Sequence, residues 1–191
     1  MMNEKSKRLR ILLNCSIFAA ITAILAQIEI PLPLIPISGQ TLAVGIAATV
    51  LGSRQGALAM LCYAAIGAVG IPVFAGFSGG PQVLVGPSGG YIFGFIAAAY
   101  ITGLILEKTR FTVRMALIAN IAGMFVTLVF GTIQLKIVLD LGWNAALTAG
   151  VYPFLIVGFI KAYLASLIGI IVRQRLIQAK LINGTQREIA S

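Results

Sequence analysis

The sequence predicts an all-α polytopic membrane protein with six transmembrane helices and outer loops that fold inward. Of the 191 residues, 59% are hydrophobic and only 10% are charged, whereas about 25% of a soluble domain is charged. Twelve of the 14 Lys and Arg residues fall in four clusters separated by long apolar segments, at 5–10, Arg54, 108–114 and 173–187. No polar linker is long enough to separate two domains, so residues 1–191 are expected to form a single transmembrane domain.

The charge clusters also predict the topology. Positively charged loops remain on the cytoplasmic side of a membrane, so all four clusters are expected on that side, with an even number of crossings between each pair. Both termini are then cytoplasmic, the basic N-terminus at about 1–10 and the C-terminal tail at about 174–191. The loops on the opposite side, 31–39 and 75–89, contain no charged residue.

The predicted helices are the apolar segments between these loops. Helix one has a longer apolar stretch than a signal peptide and is followed by further spans, which indicates a retained helix. Helix two has about 14 residues and rises about 21 Å, less than the hydrocarbon core of about 30 Å, so we expect its neighbours to bury it. Arg54 separates helices two and three, the 108–114 cluster separates helices four and five, and Pro153 suits the first turn of helix six. The predicted bounds are 11–30, 40–53, 56–74, 90–107, 112–139 and 152–173.

The first outer loop, 31–39, contains three prolines and no charge, which favours a stiff extended path. Gln40 and Thr41 lie where this path enters helix two, and they can present hydrogen-bonding groups to a ligand. We expect Ser38 to act as the N-cap of that helix.

The second outer loop, 74–91, is rich in glycine and proline, has no charge and keeps an apolar centre. Irregular backbone at membrane depth persists only when it is buried in protein or lines a cavity. We therefore expect this loop to fold inward and cap a pocket. It lacks the Gly-Lys-Ser/Thr ending of a phosphate-binding P-loop, so the sequence argues against ATP binding.

Lys161 is a charged residue about nine positions into helix six, roughly 13 Å below the outer end. A lysine at that depth costs about 2.5–3.5 kcal/mol on insertion scales, so it needs a partner, water or a bound anion. Gly158 lies three residues earlier on the same face and is expected to leave open space beside it. An ion pair with Glu29 is one alternative. A pocket with one buried cation and neutral walls suits a mostly apolar molecule with a single carboxylate.

Several functional classes are disfavoured by the composition. The chain has no histidine, and Cys15 and Cys62 lie in apolar segments, so we expect no metal site, no cofactor and no enzymatic activity. The net charge of +9 flanks the apolar spans and forms no basic face with aromatics, which argues against nucleic-acid binding. Asn120 is interpreted as an interhelical hydrogen-bonding residue, as are Gln27 and Gln134.

Small residues at four-residue spacing allow helices to approach closely within lipid. Ala19 and Ala23 form such a stripe on helix one, and Gly90, Gly94 and Ala98 form another on helix four. Packing within the chain is the ordinary interpretation. The stripe on helix one is also suited to contact a partner protein.

The chain resembles the BioY family, the biotin-binding S components of energy-coupling factor (ECF) transporters. The most specific motif is Gly86-Pro87-Ser88-Gly89-Gly90-Tyr91. The others are Ala19-Ala20-Ile21-Thr22-Ala23, Gln40-Thr41-Leu42-Ala43-Val44, Gly70-Ile71-Pro72-Val73-Phe74-Ala75-Gly76, and Pro153-Phe154-Leu155 followed by Lys161-Ala162. The resemblance therefore covers nearly the whole chain.

The resemblance implies a six-helix fold in the bacterial cell membrane that binds biotin near the outer surface. It also implies a transmembrane coupling subunit and two ATP-binding subunits as partners, contacted through a surface that includes Ala19 and Ala23. By position, Lys161 corresponds to the lysine that contacts the biotin carboxylate, Ser78 to a position facing the ureido ring, and Tyr91 to the tyrosine of the loop motif.

The sequence departs from the family pattern in helix six and in the loop. Members usually have an aspartate three residues before the lysine, where it accepts hydrogen bonds from the ureido nitrogens, but this chain has Gly158. Some members have an arginine after the loop tyrosine, whereas this chain has Ile92. Gln40 or Ser78 are then candidates for the ureido contacts. Two alternatives remain open: an S component for another vitamin, or a non-transporting structural subunit of a membrane complex.

Overall fold

The structure is a computed structural model that describes residues 4–182. Residues 183–191 of the predicted tail lie outside the described residues. The described chain forms helices that pack around the short, largely buried second helix, with a small hairpin at one end. The elements are α1 (Glu4–Ala26), β1 (Glu29–Ile30), β2 (Ile37–Ser38), α2 (Gln40–Leu51), α3 (Ser53–Ala68), α4 (Pro81–Val85), α5 (Gly89–Lys108), α6 (Val113–Val138), α7 (Trp143–Gly150) and α8 (Tyr152–Gln178).

Each of the six predicted apolar segments contains one helix, namely α1, α2, α3, α5, α6 and α8. Within residues 4–182, four helical stretches are long and apolar enough to cross a membrane, whereas α2 is apolar but shorter. These stretches are Arg8–Ala26, Gly89–Lys108, Val113–Val138 and Trp143–Gln178. The structure therefore confirms a mainly helical, multi-span protein, and six crossings stay a prediction.

The largest errors of boundary lie at the uncharged end. Helix α3 stops at Ala68, six residues before its predicted end, because Gly70 adopts a φ of +98° and Pro72 follows. The hairpin pairs Glu29 with Ser38 and Ile30 with Ile37, and two residues per strand are too few for a periodic signal. The short helices α4 and α7 were likewise not predicted.

The basic clusters lie together at one end, as the charge pattern predicts. The Arg10 guanidinium donates to the carbonyl of Lys180 (2.8 Å), which joins the two terminal clusters. Arg173 contacts both Val50, at the end of α2, and Phe111, in the connection between α5 and α6. Contacts between distant clusters therefore support an even number of helices between each pair.

A single glycine makes the tight connection between α2 and α3. Gly52 has a φ of +82°, which side-chain-bearing residues rarely adopt. The Glu107 carboxylate, from the last turn of α5, accepts hydrogen bonds from the Ser53 N–H and hydroxyl, both at 2.7 Å. A carboxylate at a helix N-terminus satisfies free N–H groups and suits the helix dipole, so Glu107 fixes this turn against α5.

Arg173 is a buried cation with a structural role. Its side chain is 5% exposed, its guanidinium donates to the Val50 carbonyl (2.5 Å), and it lies 3.6 Å from the centroid of the Phe111 ring. Val50 O belongs to the last turn of α2, whose carbonyls have no partner within the helix. Arg173 therefore ties α8 to the basic end of α2.

Candidate ligand-binding site

A cavity of about 210 Å³ opens at the uncharged end between α2, α5, α6 and α8. The outer loops around residues 34–38 and 74–88 contribute to its wall. All six residues predicted to contact a ligand line this cavity, namely Gln40, Thr41, Ser78, Tyr91, Gly158 and Lys161. The fold thus brings together residues that are up to 121 positions apart in the sequence.

Lys161 supplies positive charge near the mouth of the cavity. Its Nζ donates to the carbonyl oxygen of Ser38 (2.6 Å) and to the hydroxyl of Thr41 (3.3 Å). Side chains on a helix lean toward its N-terminus, and α8 begins at the uncharged end, so the amine extends toward the outer loops. An ammonium has three donors, so one remains for a ligand. The described residues form no ion pair between Lys161 and Glu29, and that alternative is wrong.

Gln40 holds the first loop to the rest of the site. The Ser38 hydroxyl donates to Gln40 Oε1 (2.6 Å), and Gln40 Nε2 donates to the hydroxyl of Tyr63 (2.6 Å). Tyr63 in turn donates to the carbonyl of Val73 (3.0 Å). The N-cap of α2 is Gly39 and not Ser38 as predicted. Gln40 therefore positions the loops, and its contact with a ligand stays a prediction.

Phe74 anchors the second loop inside the protein. Its ring is 1% exposed and meets Tyr63 edge-on at 5.5 Å between centroids. The ring fills the space that a side chain at Gly67 would take. The Phe74 carbonyl accepts from Gln27 Nε2 (3.2 Å), and its N–H donates to the carbonyl of Ser78 (3.0 Å). Gln27 therefore holds a loop, and its predicted bond between helices is not seen.

Gln134 holds the far half of the same loop. Its Nε2 donates to the carbonyls of Leu84 (2.7 Å) and Gly86 (2.8 Å), at the end of α4. These bonds draw the loop backbone onto α6. Together with the anchoring of Phe74, they confirm the prediction that the uncharged loop folds inward and caps a pocket.

Ser78 and Tyr91 face the cavity with their polar atoms already engaged. The Ser78 hydroxyl donates to the carbonyl of Ala75 (2.7 Å), which leaves it acceptor capacity toward a ligand. The Tyr91 hydroxyl donates to the carbonyl of Gly150 (2.8 Å), joining α5 to α7. Its ring packs on Phe154 at 5.8 Å between centroids. Tyr91 therefore supplies an aromatic wall.

The space expected beside Gly158 is occupied. A β-carbon at Gly158 would collide with the sulfur of Met124, from α6. The prediction of open space next to the lysine is therefore wrong, because the flexible thioether fills it. Gly158 still lines the cavity through its backbone.

Sequence reasoning missed the polar residues at the deep end of the cavity. Thr102, Asn120 and Thr127 all line it. Asn120 was predicted to make interhelical hydrogen bonds, which the structure confirms: Nδ2 lies 3.0 Å from Thr49 Oγ1 and 3.1 Å from Ser166 Oγ. The sequence does show that Asn120 is an amide in the middle of an apolar helix. It does not show which face of that helix lines a cavity.

The small-residue stripe of α1 divides between two faces. Ala19 is 2% exposed and packs inside the chain, so its methyl group is not accessible to a partner. Ala23 is half-buried. The exposed face carries a different small pair at four-residue spacing, Ser16 and Ala20. Ala19 therefore packs within the chain, and the exposed small residues of α1 are Ser16 and Ala20.

Comparison with known proteins gives consistent matches over most of the chain. The sequence profile of the BioY family matches residues 2–178. The chain is 40% identical over 152 residues to the biotin transporter BioY2 of Lactococcus lactis subsp. cremoris, covering 80% of this chain and 84% of that protein. It is 40% identical over 163 residues to the biotin transporter BioY of Thermotoga maritima, covering 85% and 95% respectively.

The fold is also similar to a solved structure. The crystal structure of the S-component for biotin from an ECF-type ABC transporter matches with a TM-score of 0.82 and 25% sequence identity. The match covers 91% of this chain and 95% of that chain. The likeness therefore concerns most of the helical arrangement.

Proposed function

The chain belongs to the BioY family, and on that basis we propose that it is the substrate-binding membrane subunit (S component) of a biotin uptake transporter. The observation that carries this proposal is the cavity closed by the two uncharged loops, in which Lys161 is the one charged residue among the described residues of the lining. Biotin is a mostly apolar molecule with a single carboxylate, and its chemistry matches those walls. The function is binding and transport, without catalysis.

The proposed binding mode places the carboxylate at Lys161. A carboxylate beside Nζ would form a hydrogen bond between two ionised groups, whereas Ser38 and Thr41 offer Nζ only neutral oxygen atoms. The aromatic walls, including Tyr91 and Phe154, would pack on the apolar part of the ligand. Ser78 retains acceptor capacity at the loop side of the cavity.

The proposed location is the bacterial cell membrane, with six crossings and both termini in the cytoplasm. The joint position of the basic clusters at one end supports this orientation. The cavity then opens toward the outer face. We propose that the loops close over biotin there, and that the subunit reorients in the membrane when its partners hydrolyse ATP.

The proposed partners are an ECF transmembrane coupling subunit and two ATP-binding subunits. On α1, the exposed face with Ser16 and Ala20 is suited to close contact with another helix in lipid, since small residues let helix backbones approach. This face is directed away from the core, which α1 contacts through Phe18 and Ala19. Ala23 lies at its edge.

A larger side chain at position 20 is expected to weaken assembly with the coupling subunit without changing the binding of biotin. Ala20→Phe should reduce co-purification of the coupling subunit by at least several-fold, because the larger side chain prevents close helix approach, and should leave biotin affinity unchanged. Val129→Phe, at a 54% exposed site on α6, is the matched control. Unchanged co-purification for Ala20→Phe would exclude this face of α1 as the partner surface.

The function is tested by ligand binding to the purified protein. We expect radiolabelled biotin to bind at submicromolar concentration, and cells that also express the coupling and ATP-binding subunits to accumulate it. Binding of a different vitamin in place of biotin would contradict the specificity. The absence of any bound vitamin would favour a structural subunit.

A further inference from the structure

The walls of the cavity offer few free hydrogen-bond acceptors near Lys161. The residues of α8 that line it are Phe154, Val157, Gly158, Lys161, Ala162 and Ala165, and the lysine is the only polar side chain among them. At the mouth, Gln40 Oε1 already accepts the Ser38 hydroxyl. Ser78 keeps acceptor capacity at the loop side, so any further acceptor for the N–H donors of a ligand must lie deeper in the cavity.

Asn120 has such an acceptor at the deep end. Its Nδ2 lies 2.9 Å from the carbonyl of Ala116, 3.0 Å from Thr49 Oγ1 and 3.1 Å from Ser166 Oγ. A backbone carbonyl only accepts, so the atom facing Ala116 must be nitrogen, which fixes the orientation of the amide. Within the described part of the chain, no group donates to Oδ1.

The carbonyl oxygen of Asn120 is left uncovered by a glycine. A β-carbon at Gly45 would lie 2.5 Å from Asn120 Oδ1 and 2.8 Å from the β-carbon of Ala165. Gly45, Asn120 and Ala165 all line the cavity. Any side chain at position 45 would therefore cover or displace this oxygen, which is not among the fully buried, unpartnered polar atoms of the described residues.

Lys161 and Asn120 lie at different depths of the cavity. Ala165, beside Gly45, is one helical turn below Lys161, about 6 Å along the axis. The lysine side chain extends the other way, to the carbonyl of Ser38. A ligand held at both ends must carry a carboxylate at one end and N–H donors at the other.

We propose that Asn120 is a specificity-determining residue whose Oδ1 accepts a hydrogen bond from a ureido N–H of the ligand while Lys161 holds the carboxylate. This inference rests on the proposed function, since biotin has a ureido ring at the end remote from its carboxylate. The ring system then lies at the deep end of the cavity and the carboxylate lies near the loops, so that Asn120, in place of Gln40 or Ser78, contacts the ureido group.

The test compares biotin with a derivative methylated on both ureido nitrogens, by isothermal titration of the purified full chain. The wild type should bind the derivative more weakly, and Asn120→Ala should lose roughly 10- to 100-fold in biotin affinity, as expected for an unpaired buried donor. The preference for biotin over the derivative should disappear. Gly45→Ala, which keeps Asn120 but covers its oxygen, should reduce the same preference.

Ser166→Ala is the matched control, because it removes an interhelical partner of Asn120 without touching Oδ1. It should retain the preference for biotin. A retained preference for biotin over its carboxyl amide in Asn120→Ala shows that the cavity is folded. If Asn120→Ala still binds biotin more tightly than the methylated derivative, the inference is overturned while the proposed function stands. Failure of the wild type to bind biotin overturns both.

Discussion

Lys161→Ala is expected to weaken biotin binding by roughly 10- to 100-fold. Within residues 4–182, the substitution removes the one charged residue of the lining, and a hydrogen bond to a charged group contributes about 1.5–3 kcal/mol. The ligand carboxylate would then be buried without a countercharge, which adds to the loss. Equilibrium binding of radiolabelled biotin measures the effect.

A carboxyl amide of biotin lacks the negative charge of the ligand. Comparing it with biotin shows whether Lys161→Ala removes recognition of that charge or damages the whole site. The amide should bind the wild type weakly and should lose little further affinity in Lys161→Ala. Lys136→Ala is the matched control, since Lys136 also lies toward the uncharged end but stacks on Trp143 at 5.3 Å, away from the cavity. Equal losses for biotin and its amide would contradict the assignment of the carboxylate to Lys161.

Phe74→Ala is expected to produce the largest loss of stability and to speed release of the ligand. Truncating a buried phenylalanine costs about 3–5 kcal/mol in protein cores, and this ring fills the space between Tyr63 and Gly67 under the second loop. The loop would lose its anchor at the mouth of the cavity. A lower thermal midpoint and a biotin dissociation rate at least 10-fold higher should follow.

The neighbouring Phe77 provides the control for this prediction. Its side chain is 71% exposed, so Phe77→Ala should change the thermal midpoint and the dissociation rate much less. The two variants remove the same atoms from the same loop. Similar dissociation rates in Phe74→Ala and the wild type would show that the loop is not held by this ring.

The sequence predicts the helices well because their determinants are local. Apolar length and the basic clusters located all six long segments, and Pro153 marked the start of α8 correctly. The hairpin and the short helices α4 and α7 were missed because their sequences are short and lie within loops. Their stability comes from contacts with distant residues, such as the bond from Tyr91 to Gly150.

The site was predicted in part for a similar reason. Lys161 was identified because a charge in an apolar helix is costly wherever it lies. The contact of Met124 with Gly158 and the position of Asn120 above the cavity floor depend on how α6 packs against α8 and α2. No local pattern specifies that packing. The exposure of Ala20 in place of Ala19 likewise follows from which face of α1 meets the core.

A structure of the protein with bound biotin tests the central claim most directly. We expect biotin in the cavity between α2, α5, α6 and α8, with a carboxylate oxygen within hydrogen-bonding distance of Lys161 Nζ. Biotin bound elsewhere, or with its carboxylate directed away from Lys161, would contradict the claim that this cavity recognises biotin through that lysine.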